Sequence, residues 1–281
     1  MKRIALKINA QKDKDLAYAK EVLDVLRPFC EKIYVEDTYE CLASDKVLFY
    51  GEAVPEDSEL ILVLGGDGTM LHAACDAVEL DLPMLGINMG RVGYLASLES
   101  GEIDALSRLG SNDFLQKEHM LLSVTVKKKS GEELFLGYAL NDVVIDGKGH
   151  LADIRLNDGK NTLDYRANAL IAATPTGSTA YSFSAGGPVV SHEIDSILAT
   201  PICPHSLFNR SVIFNPSEQI SVTNIGDAEL AINIDGRFVC ELPSGARCKI
   251  RSSKKRLKML TLSPNNMFAT LFEKMKRIEN I

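Results

Sequence analysis

A glycine-rich loop that carries a single carboxylate follows an apolar segment of the chain. Residues 60–64 read LILVL, and the loop that comes next is Gly65-Gly66-Asp67-Gly68-Thr69. The apolar run predicts a buried parallel strand, and the helical spacing of apolar residues over 69–80 predicts a helix. Between a strand end and a helix start, glycines let an anion approach bare backbone N–H groups, and the helix dipole favours negative charge. The loop therefore predicts a phosphate site.

Asp67 is the unusual member of this loop, because an anion beside phosphates raises the electrostatic energy. Three roles would offset that cost: an N-cap of the following helix, a ligand of a metal ion, or an acceptor of a proton. Taken alone, the loop fits a capped turn as well as it fits a catalytic loop.

A second segment offers many neutral hydrogen-bond donors to an oxygen-rich ligand. Residues 174–184 read TPTGSTAYSFS, and the sequence AGGP follows at 185–188. The segment comes directly after an apolar run at 169–173 that predicts a strand. Hydroxyl and phenol groups can each give and accept a hydrogen bond. By composition alone, the segment also fits a polar surface loop.

Together these two segments resemble the NAD kinase family. Members carry GGDGT, then an Asn-Glu pair, then TPTGSTAYS with AGGP, and then an Asp-Gly near the end of a β-rich domain. Here the pair is Asn141-Asp142 and the late dipeptide is Asp235-Gly236, so all four motifs stand in family order. The resemblance extends from about residue 3 to about residue 275.

The spacing of apolar residues and turn signals predicts two kinds of structure. Strand and helix alternate up to about residue 115, with helices predicted at about 13–28 and 101–109, which predicts an α/β domain with a parallel doubly wound sheet. Short strands with turn signals follow over 116–260, among them a hairpin around 157–159 and a turn at Asp235-Gly236, which predicts an all-β, sandwich-like domain. Residues 265–277 have helical spacing, and the resemblance implies that the segment 261–281 packs back on the first domain. The domains are thus predicted at 1–115, 116–260 and 261–281.

The resemblance implies an ATP-dependent NAD kinase that transfers the γ-phosphoryl group of ATP to the 2′-hydroxyl of the adenosine ribose of NAD, forming NADP. Asp67 is the candidate catalytic residue and would accept the hydroxyl proton. A divalent cation, Mg²⁺, on the ATP phosphates would neutralise charge, and Asp67 as a metal ligand is the competing role. No metal is expected to be held by protein ligands alone, since neither the cysteines nor the histidines cluster.

The family motifs also imply residues that bind NAD and ATP. These are Gly66, Gly68, His72, Asn141, Asp142, Arg166, Asn168, Thr179, Ala180, Tyr181, Ser182, Ser184 and Arg237, and Arg91 is a further basic candidate. The chain departs from the usual pattern at His72 for Arg, at Asp142 for Glu, at Asn168 for Asp and at Arg237 for Gln.

Two alternatives to an NAD kinase remain: a lipid kinase that shares GGDGT, and a catalytically silent NAD(P)-binding sensor.

Composition narrows the choice of partners. The formal net charge is −7, and the basic runs at 127–129 and 254–258 lack interleaved aromatic residues, so we expect no nucleic-acid partner. No apolar run approaches the roughly 18 residues of a membrane span, so we expect no membrane partner. Six scattered cysteines without metal-type spacing are typical of a reducing, cytoplasmic setting. The resemblance implies a homo-oligomer, a dimer or a tetramer.

Overall fold

The computed structural model describes residues 1–90, 93–262, 271, 272 and 276. The chain divides into two compact units, of which the first contains Met1–Glu118 and Leu257–Ile281 and the second contains His119–Arg256. No helix in the described part of the chain is long and apolar enough to cross a membrane.

The first unit is built on a parallel sheet. Its elements are β1 (Arg3–Ile8), α1 (Ala17–Leu26), β2 (Lys32–Glu36), β3 (Val47–Tyr50), β4 (Leu60–Gly65), α2 (Asp67–Glu79), β5 (Met84–Asn88) and β6 (Leu98–Glu99), with 3₁₀ segments at Asp37–Leu42 and Ser100–Leu109. The strands pair in the order β5-β4-β1-β2-β3, all parallel, and β6 pairs with β5. The carboxyl ends of β1, β4 and β5 therefore meet at one edge.

The central strands of this sheet are apolar because both of their faces are covered. All six residues of β4 are buried. Leu60, Leu62 and Leu64 belong to one core cluster with the buried face of α1, while the alternate residues of β4 point to the opposite side. This pattern explains why β4 reads as an unbroken hydrophobic run.

The second unit is a sandwich of two antiparallel sheets. Its elements are β7 (Leu115–Lys127), β8 (Glu133–Ala139), β9 (Asp142–Asp146), β10 (Ala152–Asn157), β11 (Thr162–Ala167), β12 (Ala169–Ala173), a 3₁₀ segment Thr176–Thr179, α3 (Tyr181–Ser184), β13 (Ile197–Ile202), β14 (Val212–Phe214), β15 (Gln219–Asn224), β16 (Leu230–Ile234), β17 (Arg237–Leu242) and β18 (Arg247–Thr261). The first residues of β7 and the last residues of β18 belong to the first unit. One sheet has the order β14-β13-β12-β9-β16-β17. In the other, β11, β10, β15 and β18 follow one another, and β7 joins β18 to β8. Their inner faces share one core that includes Ile145, Leu170, Ile232, Val222 and Ile250.

The predicted fold class is confirmed, with differences at particular elements. The predicted helix at 13–28 is shorter, because the Asp13 carboxylate accepts hydrogen bonds from the Tyr18 and Ala19 N–H groups and Leu16 has a left-handed backbone. The helix predicted at 101–109 is a 3₁₀ segment with a kink at Glu102. The predicted hairpin around 157–159 is formed by β10 and β11.

Four strands were missed by the sequence analysis, namely β3, β6, β13 and β18. The predicted C-terminal helix at 265–277 and Arg91 lie largely or wholly outside the described residues. The predicted boundaries at 115 and 260 remain predictions.

Candidate functional site

The glycine loop forms the junction between β4 and α2. Gly66 is the N-cap of α2, no side chain caps this helix, and Asp67 is its first residue. The Asp67 carboxylate instead accepts hydrogen bonds from a distant segment: the Tyr94 N–H lies 3.0 Å from each carboxylate oxygen, and the Leu95 N–H lies 3.2 Å from Oδ1. Asp67 is thus not the N-cap that a simple capped turn would require. Its charge is held at the sheet edge by backbone donors.

The first turn of α2 also presents unused donors. The first N–H groups of a helix have no partner within that helix. In the described part of the chain, no backbone acceptor faces the N–H groups of Asp67, Gly68 and Thr69. A Cβ atom on Gly68 would meet nothing within 4 Å, so the approach to these donors is open. The arrangement can bind an anion next to a carboxylate.

Asn9 supports this turn from the end of β1, and the sequence analysis missed it. The Asn9 side chain donates a hydrogen bond from Nδ2 to Thr69 Oγ1, with a distance of 2.8 Å. Thr69 in turn fills the space above Gly65, where a Cβ atom would lie 2.5 Å from Thr69 Oγ1. A polar residue at the carboxyl end of a parallel strand was the available signal, because such ends meet where ligands bind.

In the second unit, one carboxylate holds the start of β9. Asp235 accepts hydrogen bonds from the N–H groups of Leu140, Asn141 and Asp142, at 2.8, 2.8 and 3.0 Å. Asp235 and Gly236 have φ values of 48° and 77°, as the two central residues of a type I′ hairpin turn require. The late Asp-Gly therefore fixes the backbone of the predicted Asn141-Asp142 pair.

Asp142 is a buried acid beside this clamp. Its side chain is only 5% exposed. Burial, with a further contribution from the charge of Asp235, raises the pKa of Asp142 from 3.8 to about 7. Burial also raises the pKa of Asp235, while its three backbone donors oppose that shift. The Asp142 carboxyl therefore keeps its proton at pH values at which an exposed Asp has lost it.

The hydroxyl-rich segment lies against the same strand end. The Thr174 N–H donates to Asn141 O at 2.9 Å, and the Thr174 hydroxyl donates to Leu140 O. A Cβ atom on Gly177 would lie 2.8 Å from Asn141 Cα, so only glycine permits this approach. Three motifs that are far apart in the sequence, at 141–142, 174–179 and 235–236, therefore form one site.

The remainder of the segment divides into exposed and buried residues. Tyr181 is 49% exposed, while Ser182 is fully buried and its Oγ lies 3.1 Å from Thr200 Oγ1. Ser184 is exposed, and Thr179 and Ala180 are half-buried. Tyr181 thus offers a free aromatic face, whereas Ser182 supports the segment from inside the fold.

Two histidines that the sequence analysis did not assign adjoin the segment. The His119 and His192 rings stack with centroids 5.1 Å apart, and His119 Nδ1 lies 2.9 Å from Thr176 Oγ1. They are 73 residues apart in the chain, so no local pattern could have paired them.

The other predicted site residues lie on the surfaces of their units. His72 is exposed on α2, and Arg237 is exposed at the start of β17. The exposed Arg166 side chain forms a loose ion pair with Asp153, with Nε and Oδ1 3.9 Å apart. Asn168 is exposed, and its N–H donates to Ile202 O at 2.9 Å.

No protein metal centre is found in the residues that the structure describes, since none of their His, Cys, Asp and Glu side chains form a group of three or more that could hold an ion. The six cysteines, all within the described ranges, are free thiols.

A parallel α/β unit with a glycine loop, together with a β-sandwich unit that carries the hydroxyl-rich segment, defines a two-domain nucleotide-binding protein. Residues 4–114 match the family model described as "ATP-NAD kinase N-terminal domain", and residues 133–262 match "ATP-NAD kinase C-terminal domain". The chain belongs to the NAD kinase family.

Curated relatives agree with this membership, and a solved structure shares the fold. The NAD kinase of Lachnoclostridium phytofermentans is 35% identical, with 96% of this chain and 98% of that protein covered. The NAD kinase of Natranaerobius thermophilus is 34% identical, with 98% of each covered. Yeast NADH kinase complexed with NADH matches the fold with a TM-score of 0.83 at 22% identity, covering 97% of this chain and 87% of that one.

Proposed function

We propose that this chain catalyses Mg²⁺-dependent transfer of the γ-phosphoryl group of ATP to the 2′-hydroxyl of the adenosine ribose of NAD. The 2′-oxygen forms the new bond to the γ-phosphorus, and the bond to the β,γ-bridging oxygen breaks. ADP leaves, and the proton of the 2′-hydroxyl passes to the Asp67 carboxylate. The products are NADP and ADP.

The observation that carries this proposal is the first turn of α2. It combines open N–H donors on Asp67, Gly68 and Thr69 with a carboxylate whose hydrogen-bond partners, among the residues that the structure describes, are backbone N–H groups. Binding of phosphate alone would gain nothing from that negative charge, whereas transfer to a hydroxyl needs a proton acceptor at the same place.

The second unit supplies a site suited to a dinucleotide. Asn141 directly precedes β9 and Asp142 begins it, next to the segment 174–184, so amide, carboxyl and hydroxyl groups lie at one sheet edge. An amide can both give and accept, as adenine requires, and a carboxyl can accept from ribose hydroxyls. Tyr181 offers an aromatic face to a planar ring. We assign this site to NAD.

The donor set fits a metal that arrives with its substrate. Because the described residues provide no group of three ligands, Mg²⁺ would be held mainly by ATP phosphate oxygens, with Asp67 as a carboxylate that could add one bond. When bound, Mg²⁺ neutralises charge on the transferring phosphoryl group.

We also propose that the protein works in the cytoplasm, where its free thiols stay reduced, and that it forms a dimer or a tetramer.

The test is an assay of the full chain with NAD, ATP and Mg²⁺. NADP is detected with an NADP-specific dehydrogenase, which also distinguishes phosphorylation at the 2′ position, and ADP is measured in parallel. We expect NADP and ADP in equal amounts, with none formed when NAD or ATP is left out. NAD binding without NADP formation would instead identify a silent sensor, and phosphorylation of a lipid but not of NAD would identify a lipid kinase.

A further inference from the structure

A lysine that no family motif includes lies over the glycine loop. A Cβ atom on Gly90 would be 2.7 Å from Lys12 Nζ, and a Cβ atom on Gly66 would overlap the same ammonium group. The ammonium therefore occupies the space that side chains would take at two glycines. One of these is the N-cap of α2 and the other follows the carboxyl end of β5.

The turn that carries Lys12 is fixed to the first unit. The Lys12 N–H donates to Asn9 O at 3.0 Å, and the Asn9 side chain is bonded to Thr69 in the first turn of α2. On the other side, the buried Asp13 holds the start of α1 through the N–H groups of Tyr18 and Ala19. The lysine backbone is thus positioned by the same residue, Asn9, whose side chain supports the glycine loop.

The charges at this place are unbalanced. The N-terminus of a helix carries partial positive charge, so a cation beside it is disfavoured unless an anion lies between them. None of the ion pairs between described residues includes Lys12. The Asp67 carboxylate accepts hydrogen bonds from the N–H groups of Tyr94 and Leu95. An incoming polyphosphate would supply the missing negative charge.

We propose that Lys12 binds the triphosphate of ATP over the glycine loop and holds its terminal phosphates beside Asp67. This assignment rests on the proposed function and adds a binding residue to it. A lysine acts on phosphate as a mobile point charge, so it can follow the terminal phosphoryl group as negative charge redistributes during transfer. The role belongs to a residue outside GGDGT and outside every motif of the second unit.

The test compares Lys12→Met with the parent enzyme by steady-state kinetics in both substrates and by binding of a non-hydrolysable ATP analogue. Loss of a charge-assisted contact is expected to raise the KM for ATP and the Kd for the analogue roughly tenfold or more. The KM for NAD is expected to change by less than about twofold. Lys12→Arg keeps the charge, so its KM for ATP is expected to remain within about threefold of the parent value.

Two further variants separate this role from effects on folding. Lys14→Met removes an exposed lysine two positions further along the same segment and is expected to leave both KM values unchanged. Gly90→Ala retains the charge at Lys12 but displaces the ammonium, so it is expected to raise the KM for ATP as Lys12→Met does. Melting temperatures of all variants identify any general loss of structure.

The outcomes distinguish this inference from the proposed function. An active parent with an unchanged KM for ATP in Lys12→Met overturns the inference alone. An increase confined to the KM for NAD also overturns it, because the lysine would then serve the pyrophosphate of NAD. A parent that makes no NADP contradicts the proposed function, and in that case the analogue-binding arm still measures whether Lys12 holds a triphosphate.

Discussion

The buried acid Asp142 makes the stability of this protein depend on pH in an unusual direction. Its pKa is raised from 3.8 to about 7 in the folded state, mainly by burial and secondly by the charge of Asp235. Between these two values the folded protein keeps a proton that the unfolded chain has lost. Stability therefore falls as pH rises through this window, whereas a carboxylate with a lowered pKa would have the opposite effect.

The size of the effect follows from the shift. One pKa unit corresponds to about 1.4 kcal/mol, so a shift of about three units corresponds to about 4 kcal/mol over the whole window. The part of the window above about pH 5 is accessible to measurement and accounts for about 2–3 kcal/mol. Below the window both states are protonated and the penalty vanishes. Above about pH 7 both are ionised and the penalty is complete.

The variant Asp142→Asn isolates this contribution, because an amide of the same shape does not titrate. Free energies of unfolding are measured by denaturant titration for parent and variant from about pH 5 to about pH 8. The parent is expected to lose about 2–3 kcal/mol relative to the variant over that interval. Asp164→Asn is a control that is expected to show no pH-dependent difference over this interval. The Arg155 guanidinium holds the pKa of the exposed Asp164 below its usual value, so Asp164 is ionised in both the folded and the unfolded state there.

A difference between parent and Asp142→Asn that stays constant across the interval would refute the reasoning. It would mean that the Asp142 carboxyl is ionised in the folded protein throughout, despite being 5% exposed and adjacent to Asp235. A direct NMR titration of the Asp142 carboxyl carbon provides a second measurement of the same pKa.

Two further predictions concern the backbone around each site. Gly177→Ala places a methyl group against Asn141 and is expected to lower the free energy of unfolding by roughly 2–4 kcal/mol and to raise the KM for NAD. In the control Gly101→Ala the new Cβ atom meets nothing within 4 Å, so neither the stability nor the KM for NAD is expected to change. Equal stabilities of the two variants would contradict this prediction. Thr69→Val removes the hydrogen-bond acceptor of the Asn9 side chain and is expected to lower the free energy of unfolding by about 1 kcal/mol. If the two residues act as a pair, the double variant with Asn9→Ala is expected to lose no more stability than the more destabilised single variant. Additive losses would show that the two residues act separately.

Local features of this protein could be predicted from its sequence because they depend on neighbouring residues. The glycine loop after β4 was predicted from an apolar run, glycines and a helical pattern, and the structure has that order. The Asp235-Gly236 turn was predicted from the dipeptide itself. Alternation of strand and helix likewise indicated the parallel sheet, since this connection pattern has few other solutions.

Contacts between distant segments could not be read from local patterns. The partners of Asp67 are backbone N–H groups 27 and 28 residues away, and backbone groups leave no mark in the residue types. The clamp by Asp235 depends on the register in which Ile234 pairs with Val143. The burial of Ser182 likewise follows from its contact with Thr200 on β13, a strand that the sequence analysis missed.

The role of Asp67 as proton acceptor is tested most directly by the turnover of Asp67→Asn in the NADP-forming assay. The amide retains an oxygen that can accept from the N–H groups of Tyr94 and Leu95, but it cannot take a proton from the ribose hydroxyl. We expect kcat to fall by roughly 10² or more, with the KM for NAD within a few-fold of the parent value. A kcat within about threefold of the parent would contradict the account, because Asp67 would then serve only to hold the segment at Tyr94.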